Sequence, residues 1–430
     1  MIQSAEVYLW GSRIGLVYQG ESDPVFRFEY DRSFQKSGIE LAPFQMPLSD
    51  RVYTFPELSR SEAFRGMPGL LAESLPGRFG NAVIDRWLTA KGREPDSFTA
   101  IERLCYTGTR GMGALEYVPA QGPHLSERDV DVQEMVKLAS EILQDRKEEH
   151  LEAEDMSLLQ LLEIGSSAGG ARAKAVIAWN EATGKIRSGQ IDAGSGYEYW
   201  LLKFDGISGN GDHGTKDPRQ YTRIEYAYYL MAGDLGIPME ECRLLERDGL
   251  AHFMTKRFDR KNGKKIHTQT LAALGHFDYN MPGLCSYEQY AEYAKKLGMG
   301  KKEMEQIYRC MVFGDLSRNY DDHVKNFSFR MDPSGTWSLA PAYDLCFAYK
   351  PGNRWISGHQ MRINGKMTDI QEEDLLAAGK TIGLNTGFCK KCIAGTKDVL
   401  RNWMDYAERS GINEARAEEL RKYLLCSPRP

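Results

Sequence analysis

At 430 residues, with 42% apolar and 11% aromatic content, the chain has the length for two or three packed domains and is too apolar to be disordered. Its formal net charge of −5 provides no global pull toward nucleic acid or anionic membrane. No apolar run approaches the roughly 18 residues of a membrane span, and MIQSAEVYLW lacks the basic and apolar regions of a secretory signal, so a cytoplasmic protein is expected.

Taken in chain order, EVYLWGSRIGLVYQG alternates apolar and polar residues around Gly11-Ser12, which predicts a β-hairpin; PVFRFEYD adds a third strand. In GMPGLLAESLPGRFGNAVIDRWLTAKG, Ala82, Ile84, Trp87 and Leu88 recur at helical spacing and Gly92 supplies a stop. GALEYVP reads as a closing strand. AQGPHLSERDVDVQ reads as a linker into an amphipathic helix carrying Met135, Leu138, Ile142 and Leu143, and the charged run QDRKEEHLEAEDMS reads as a solvated face. From Leu158 onward a glycine- and serine-rich turn precedes the β-prone AKAVIAW. GYEYWLLKFDG is a buried strand interrupted by Lys203, and YTRIEYAYYLMAGDLGIP is a helix stopped by Gly236 and Pro238. AHFMTKRFDRKNGKKIHTQT is expected to be one hairpin turning at Asn262-Gly263. Helices follow, the first with Ser286 as N-cap. Of eight scattered cysteines only Cys389 and Cys392 are spaced Cys-x-x-Cys; without a second pair, free thiols are the better reading than zinc.

NYDDHVKNFSF, 319–329, crowds two carboxylates, a histidine, a lysine and an asparagine between apolar flanks. Asp321 and Asn326 stand five residues apart, the separation at which a kinase loop places its hydroxyl-orienting Asp and metal-binding Asn. The form Asp-x-His-x-x-Asn is closer to phosphoinositide-kinase-type loops than to His-Arg-Asp. About twenty residues later, LAPAYDLCF offers Asp344 as a second metal carboxylate. Upstream, a strand-interior Lys203 needs an anion, which Glu225 on the next helix and nucleotide phosphates can supply. GSSAGGARAK offers backbone N–H groups beside a base, suited to phosphate, although it is no Walker A loop. Glycine loop, strand lysine, helix glutamate, Asp–Asn loop and metal Asp follow one another in the order of a protein kinase.

Together with LLAESLPGRFGNAVIDRW, GTRGMGALEYVP, SSAGGARAKAV, KRFDR, DDHVKNFSF and APAYDL, the chain resembles the HipA family, kinase toxins of bacterial type II toxin–antitoxin pairs, over most of its length. The resemblance implies an α+β, two-lobed protein-kinase-like fold. Its parts would be a β-rich N-terminal subdomain (1–120), a helical linker (121–155), a nucleotide-binding N-lobe region (156–270) and a helical C-terminal lobe with the catalytic loop (271–430). It implies ATP and Mg²⁺, and transfer to a serine or threonine of a protein such as an aminoacyl-tRNA synthetase. It also implies a HipB-like helix-turn-helix antitoxin, through which alone DNA would be met. By position, Asp321 would be the general base, Asn326 and Asp344 the Mg²⁺ ligands, and Lys203, backed by Glu225, the holder of the α/β-phosphates. Gly169, Gly170, Ala171 and Lys174 would form the phosphate loop, Lys256 and Phe258 the adenine-side hinge, with Asp259 near the ribose. His323 and Tyr343 would line the pocket, and Ser167, or Ser166 beside it, would be autophosphorylated. Asp322 stands where a small residue often sits. Two other readings compete: a small-molecule or lipid kinase, on the Asp-x-His-x-x-Asn form, and a catalytically silent nucleotide-binding module of a repressor complex.

Overall fold

The alternation near the N-terminus builds the first sheet. In a computed structural model that describes residues 2–20, 25–122, 129–144, 156–165, 169–170, 172–207, 220–261 and 263–424, five antiparallel strands run in the order β4-β3-β2-β1-β5. These are β1 (Ser4–Leu9), β2 (Ser12–Gln19), β3 (Phe26–Tyr30), β4 (Tyr53–Thr54) and β5 (Leu115–Val118). Val7, Leu9, Val17, Phe28 and Tyr30 are buried between more exposed neighbours, as a period of two requires. The first turn falls one residue earlier than the sequence reading placed it. Leu9 pairs with Ser12, so Trp10 (φ 48°) and Gly11 (φ 81°) take the two positive-φ positions.

A second antiparallel sheet, β7-β6-β8-β10-β9, consists of β6 (Lys174–Asn180), β7 (Lys185–Ser188), β8 (Glu198–Lys203), β9 (Cys242–Arg247) and β10 (Leu250–Lys256). Helices Arg78–Ala90, Val132–Leu143 and Met156–Gly165 share a core with it, formed by residues such as Ile84, Met135, Leu161, Ile177 and Trp200. Each fully buried Leu in that core contributes about 1.5–3 kcal/mol. The helix inside the segment read as a linker is therefore part of this core. Strand alternation sends Trp200 and Leu202 into the core and Lys203 to the opposite side. Helix Tyr221–Asp234 packs there, and its Ile224, Tyr228 and Met231 share a further core with Phe313, Trp403, Tyr406 and Leu420. Glu225 thus rides on a helix gripped by both lobes.

The expected hairpin over 251–270 divides instead. After β10 come two-residue rungs, β11 (Arg260–Lys261) and β12 (Lys264–Lys265), and then β13 (His267–Thr270), which pairs with β14 (Ser328–Met331) some sixty residues later; β15 (Trp337–Leu339) completes that sheet. Asn262 lies outside the described residues, and Gly263 has φ 74°. This small sheet ties the parts together, since Met331 enters the N-terminal core and Phe329 the C-lobe core. In the C-lobe, Ser286 caps helix Tyr287–Lys296 through a capping box with Gln289, as expected. Helix Lys301–Leu316 leads into residues 317–327 and then β14, so the polar loop is held between two buried elements. Among the described residues, no helix is long and apolar enough to cross a membrane.

Candidate active site

The interior lysine finds the anions its burial demands. Lys203 Nζ donates to Glu225 Oε1 at 2.5 Å and to Asp344 Oδ1. Burial works against its ammonium, but Asp344 and Glu225 outweigh that and raise its pKa. Burial likewise opposes ionisation of Asp344, yet Lys203 and Lys174 hold its carboxyl well below the usual carboxylate range. For Glu225 burial dominates and pushes the carboxyl up, with Lys203 opposing. Asp344 sits at φ 53°, a left-handed backbone that non-glycine residues adopt at a cost and that concentrates at functional sites.

Lys174, at the start of β6, is buried, which lowers its ammonium to about 8; the nearby Asp344 pulls the other way and Lys203 adds to the lowering. Gly170 (φ 96°) arches over it so closely that an added Cβ would lie 2.6 Å from Lys174 Nζ. Gly77, which precedes helix Arg78–Ala90, packs equally close: a Cβ there would meet the Gly170 backbone at 2.6 Å. Gly169 is exposed beside it. The glycine turn and the two lysines therefore face one space with Asp344. Ala171, Ser166 and Ser167 lie outside the described residues.

On the C-lobe side, Asn326 Nδ2 donates to the Asp321 carbonyl at 2.8 Å, which turns the amide oxygen away from the loop backbone. Asn326, Asp344, Tyr343 and Asn319 line one cavity. His323 Nε2 is 3.8 Å from Asp321 Oδ1. Tyr343 stacks on Phe258 with centroids 5.6 Å apart, and its hydroxyl meets Ser328 Oγ and the Lys325 carbonyl. These contacts link Lys203, Glu225, Lys174 and Gly170 to Asp344, join Asp344 to Asn326 and Tyr343 in one cavity, and set Asp321 and His323 beside Asn326 and Phe258 against Tyr343.

Two hinge expectations are corrected. Asp259 is fully buried and is not left for a ribose. Its oxygens accept from Arg257 (2.8 and 2.7 Å), Arg260 (2.8 Å) and the Gly113 N–H (2.7 Å), and these guanidinium groups outweigh burial to hold the carboxyl well below its usual range. The Lys256 N–H is already bonded to the Glu241 carbonyl at 2.9 Å, and its ammonium pairs with Glu198 at 2.5 Å. The pattern also missed what the N-terminal domain supplies. Lys325, lowered by burial, sits 4.6 Å from the Tyr279 ring centroid with Glu73 as its compensating charge. Asp322, too, carries more than its small-residue position implied: it is buried and bonded to Tyr287 and His359.

Matches to family models cover nearly all of this architecture. Residues 5–118 match the HipA N-terminal domain and residues 166–421 the HipA-like C-terminal domain. The chain belongs to the HipA family. A chain of the solved Shewanella oneidensis MR-1 toxin–antitoxin complex of HipA, HipB and operator DNA superposes with a TM-score of 0.67 at 18% identity, covering 98% of this chain and 96% of that one. The fold is accordingly a two-lobed, kinase-like α+β fold. A Haemophilus influenzae protein named "Putative kinase" is 27% identical over 160 residues, 33% of this chain; the chain spans about half the length of that relative, 47%. The Helicobacter pylori proinflammatory kinase CtkA superposes with a TM-score of 0.34 at 15% identity over 53% of this chain and 85% of its own.

Proposed function

We propose that this HipA-family chain is an ATP- and Mg²⁺-dependent serine/threonine protein kinase, the toxin of a type II toxin–antitoxin module. One observation carries the reading: Lys203, Glu225 and Asp344, from three separate segments, meet through direct ion pairs, and Asp344 lines one cavity with Asn326, whose amide is bonded to the Asp321 carbonyl.

The residues fit the nucleotide and its cation. Asn326 spends its amide N–H on the Asp321 carbonyl and Asp344 spends one oxygen on Lys203, so an amide oxygen and a carboxylate oxygen remain. Among the described residues there is no cluster of three or more His, Cys, Asp or Glu that could hold a metal. Mg²⁺ takes one or two protein oxygens and completes its shell with phosphates and water. Asn326 and Asp344 would hold it, and bound Mg²⁺ would neutralise charge on the β- and γ-phosphoryl oxygens.

Lys203, kept cationic by Asp344 and Glu225, grips the α/β-phosphates, while the Gly170 turn and Lys174 close over the polyphosphate from above. Phe258 and Tyr343 provide the apolar wall on the base side. Asp321 accepts the proton of the acceptor hydroxyl as its oxygen bonds to the γ-phosphorus and the bond to the bridging oxygen breaks, releasing ADP. The acceptor would be a translation-related protein such as an aminoacyl-tRNA synthetase, with Ser167 or Ser166 as a site of self-modification. The superposed complex supports a HipB-like helix-turn-helix partner that carries the DNA contact.

The test is incubation of the chain with labelled ATP in host lysate. Asp321→Ala is expected to lower labelling of a protein serine or threonine by about 10²–10⁴. Labelling by that variant at the parental rate removes Asp321 from the role of base, and label found only on sugars or lipids replaces the protein-kinase reading.

A further inference from the structure

A second charged constellation lies behind the catalytic loop; its Asp322 and Tyr287 border the cavity that Asn326 and Asp344 line, while His359 and Asp315 stand back from it. Asp315 is the penultimate residue of helix Lys301–Leu316, Asp322 directly follows Asp321, and His359 belongs to the segment 345–371 that follows Asp344. His359 stands between the two carboxylates, with Nδ1 2.7 Å from Asp322 Oδ2 and Nε2 3.3 Å from Asp315 Oδ1; the His359 and Asp315 side chains are 0% exposed and that of Asp322 is 1% exposed. Tyr287 donates its hydroxyl to Asp322 Oδ2 at 2.9 Å and the Gln360 N–H donates to Oδ1 at 2.7 Å. The Tyr320 ring packs 4.4 Å from the imidazole. Asp322 therefore collects bonds from both ends of one dipeptide, His359-Gln360.

The backbone joins the same two segments. Tyr320 N–H bonds to the Ala348 carbonyl at 3.1 Å and Ala348 N–H to the Arg318 carbonyl at 2.9 Å. Elsewhere the 345–371 segment is held by Gly283, whose N–H meets the Gln360 carbonyl at 2.8 Å, and by its own His359 N–H, which meets the Met367 carbonyl at 2.8 Å. Such bonds set direction but tolerate sliding, whereas a side chain gripped from both sides by buried carboxylates has one position. An imidazole with two acceptors must carry both ring protons to satisfy them, so charge and hydrogen bonding agree.

We propose that His359, held between Asp315 and Asp322, is a positioning residue that pins the segment after Asp344 to the catalytic loop and thereby fixes Asp321 for transfer. The pin is assembled wholly from the chain's own side chains and backbone. This rests on the kinase reading for its catalytic consequence and on geometry alone for its structural one. Because both Asp322 oxygens are spent on Tyr287, His359 and Gln360, and Lys203, Lys174 and Asp344 would hold the nucleotide without them, loss of the pin separates catalysis from nucleotide binding.

The experiment compares the full chain with His359→Gln and Asp322→Asn, both close to isosteric, and with the double variant. Transfer rate at saturating ATP is expected to fall by about 10²-fold, the scale of a misplacement near 1 Å, while the affinity for MgATP stays within about threefold. The double variant should lose no more than the worse single one, since both break one unit. Equal falls in rate and MgATP affinity, or no fall in folded protein, overturn the pin. Hydrogen exchange separates this from failure of the kinase reading. If the parental chain transfers nothing to any acceptor, His359→Gln should still speed exchange of the amides of both 319–326 and 353–362. Faster exchange confined to 353–362 overturns the pin whatever the enzyme does.

Discussion

Two buried ionic clusters are made from the same kinds of residue and end up with opposite capacities. At the hinge, Asp259 is enclosed by Arg257, Arg260 and the Gly113 N–H, and the spare guanidinium protons go to the Gly189, Gly111 and Gly113 carbonyls. Both charged side chains of its central pair are 0% exposed. In the cleft, Lys203 is paired twice, but Asp344 keeps a 34% exposed side chain, and Lys174 brings a second ammonium that only the neighbouring carboxylates offset. The hinge cluster is complete in itself and can only hold the chain together. The cleft cluster has an oxygen and a cation to spare, which is what a ligand needs.

The contrast can be broken by experiment. Lys203→Met removes the shared cation and leaves Glu225 and Asp344 facing each other; transfer should fall by on the order of 10²–10³, the scale of losing one aimed electrostatic contact. MgATP affinity should fall with it, read by calorimetry. Asp259→Ala leaves two buried guanidinium groups without a counter-charge and should cost about 3–5 kcal/mol of stability in denaturant melts. Its KM for ATP should stay unchanged below the melting range. A raised KM with stability intact would return Asp259 to the ribose and erase the contrast. The smallest effect is with pH. Lys174 is cationic below about 8, so the attraction for the triphosphate is present below that value and is lost as pH rises through it. KM for ATP should climb from pH 7 to 9 in the parental chain and climb less in Lys174→Arg, which keeps its charge.

The same contrast marks what was legible. Asp321, Asn326, Asp344, Lys203 and Glu225 stood out as candidates through local spacing and chain order, and the structure joins Lys203 to Glu225 and Asp344 and Asn326 to the Asp321 carbonyl. Asp259 was misread because an aspartate in KRFDR looks alike whether it faces a ribose or a guanidinium pair; Gly113, 146 residues away, completes its shell. The one hairpin expected over 251–270 failed for a related reason. Either β10 or β14 could satisfy the N–H and C=O groups of 267–270, and only packing against the C-lobe core chose β14. Asp315, inside the otherwise apolar MVFGDL, was a local signal of a buried carboxylate needing a partner, but nothing in sequence named His359 as that partner.

By itself, then, the sequence determined most of the strand and helix patterning, the family and a candidate set of site residues, because periodicity and motif spacing are properties of neighbours along the chain. Tertiary structure alone decided which charges were spent on one another and which remained for a ligand. Whether a buried carboxylate is satisfied depends on donors brought within about 3 Å from anywhere in the fold.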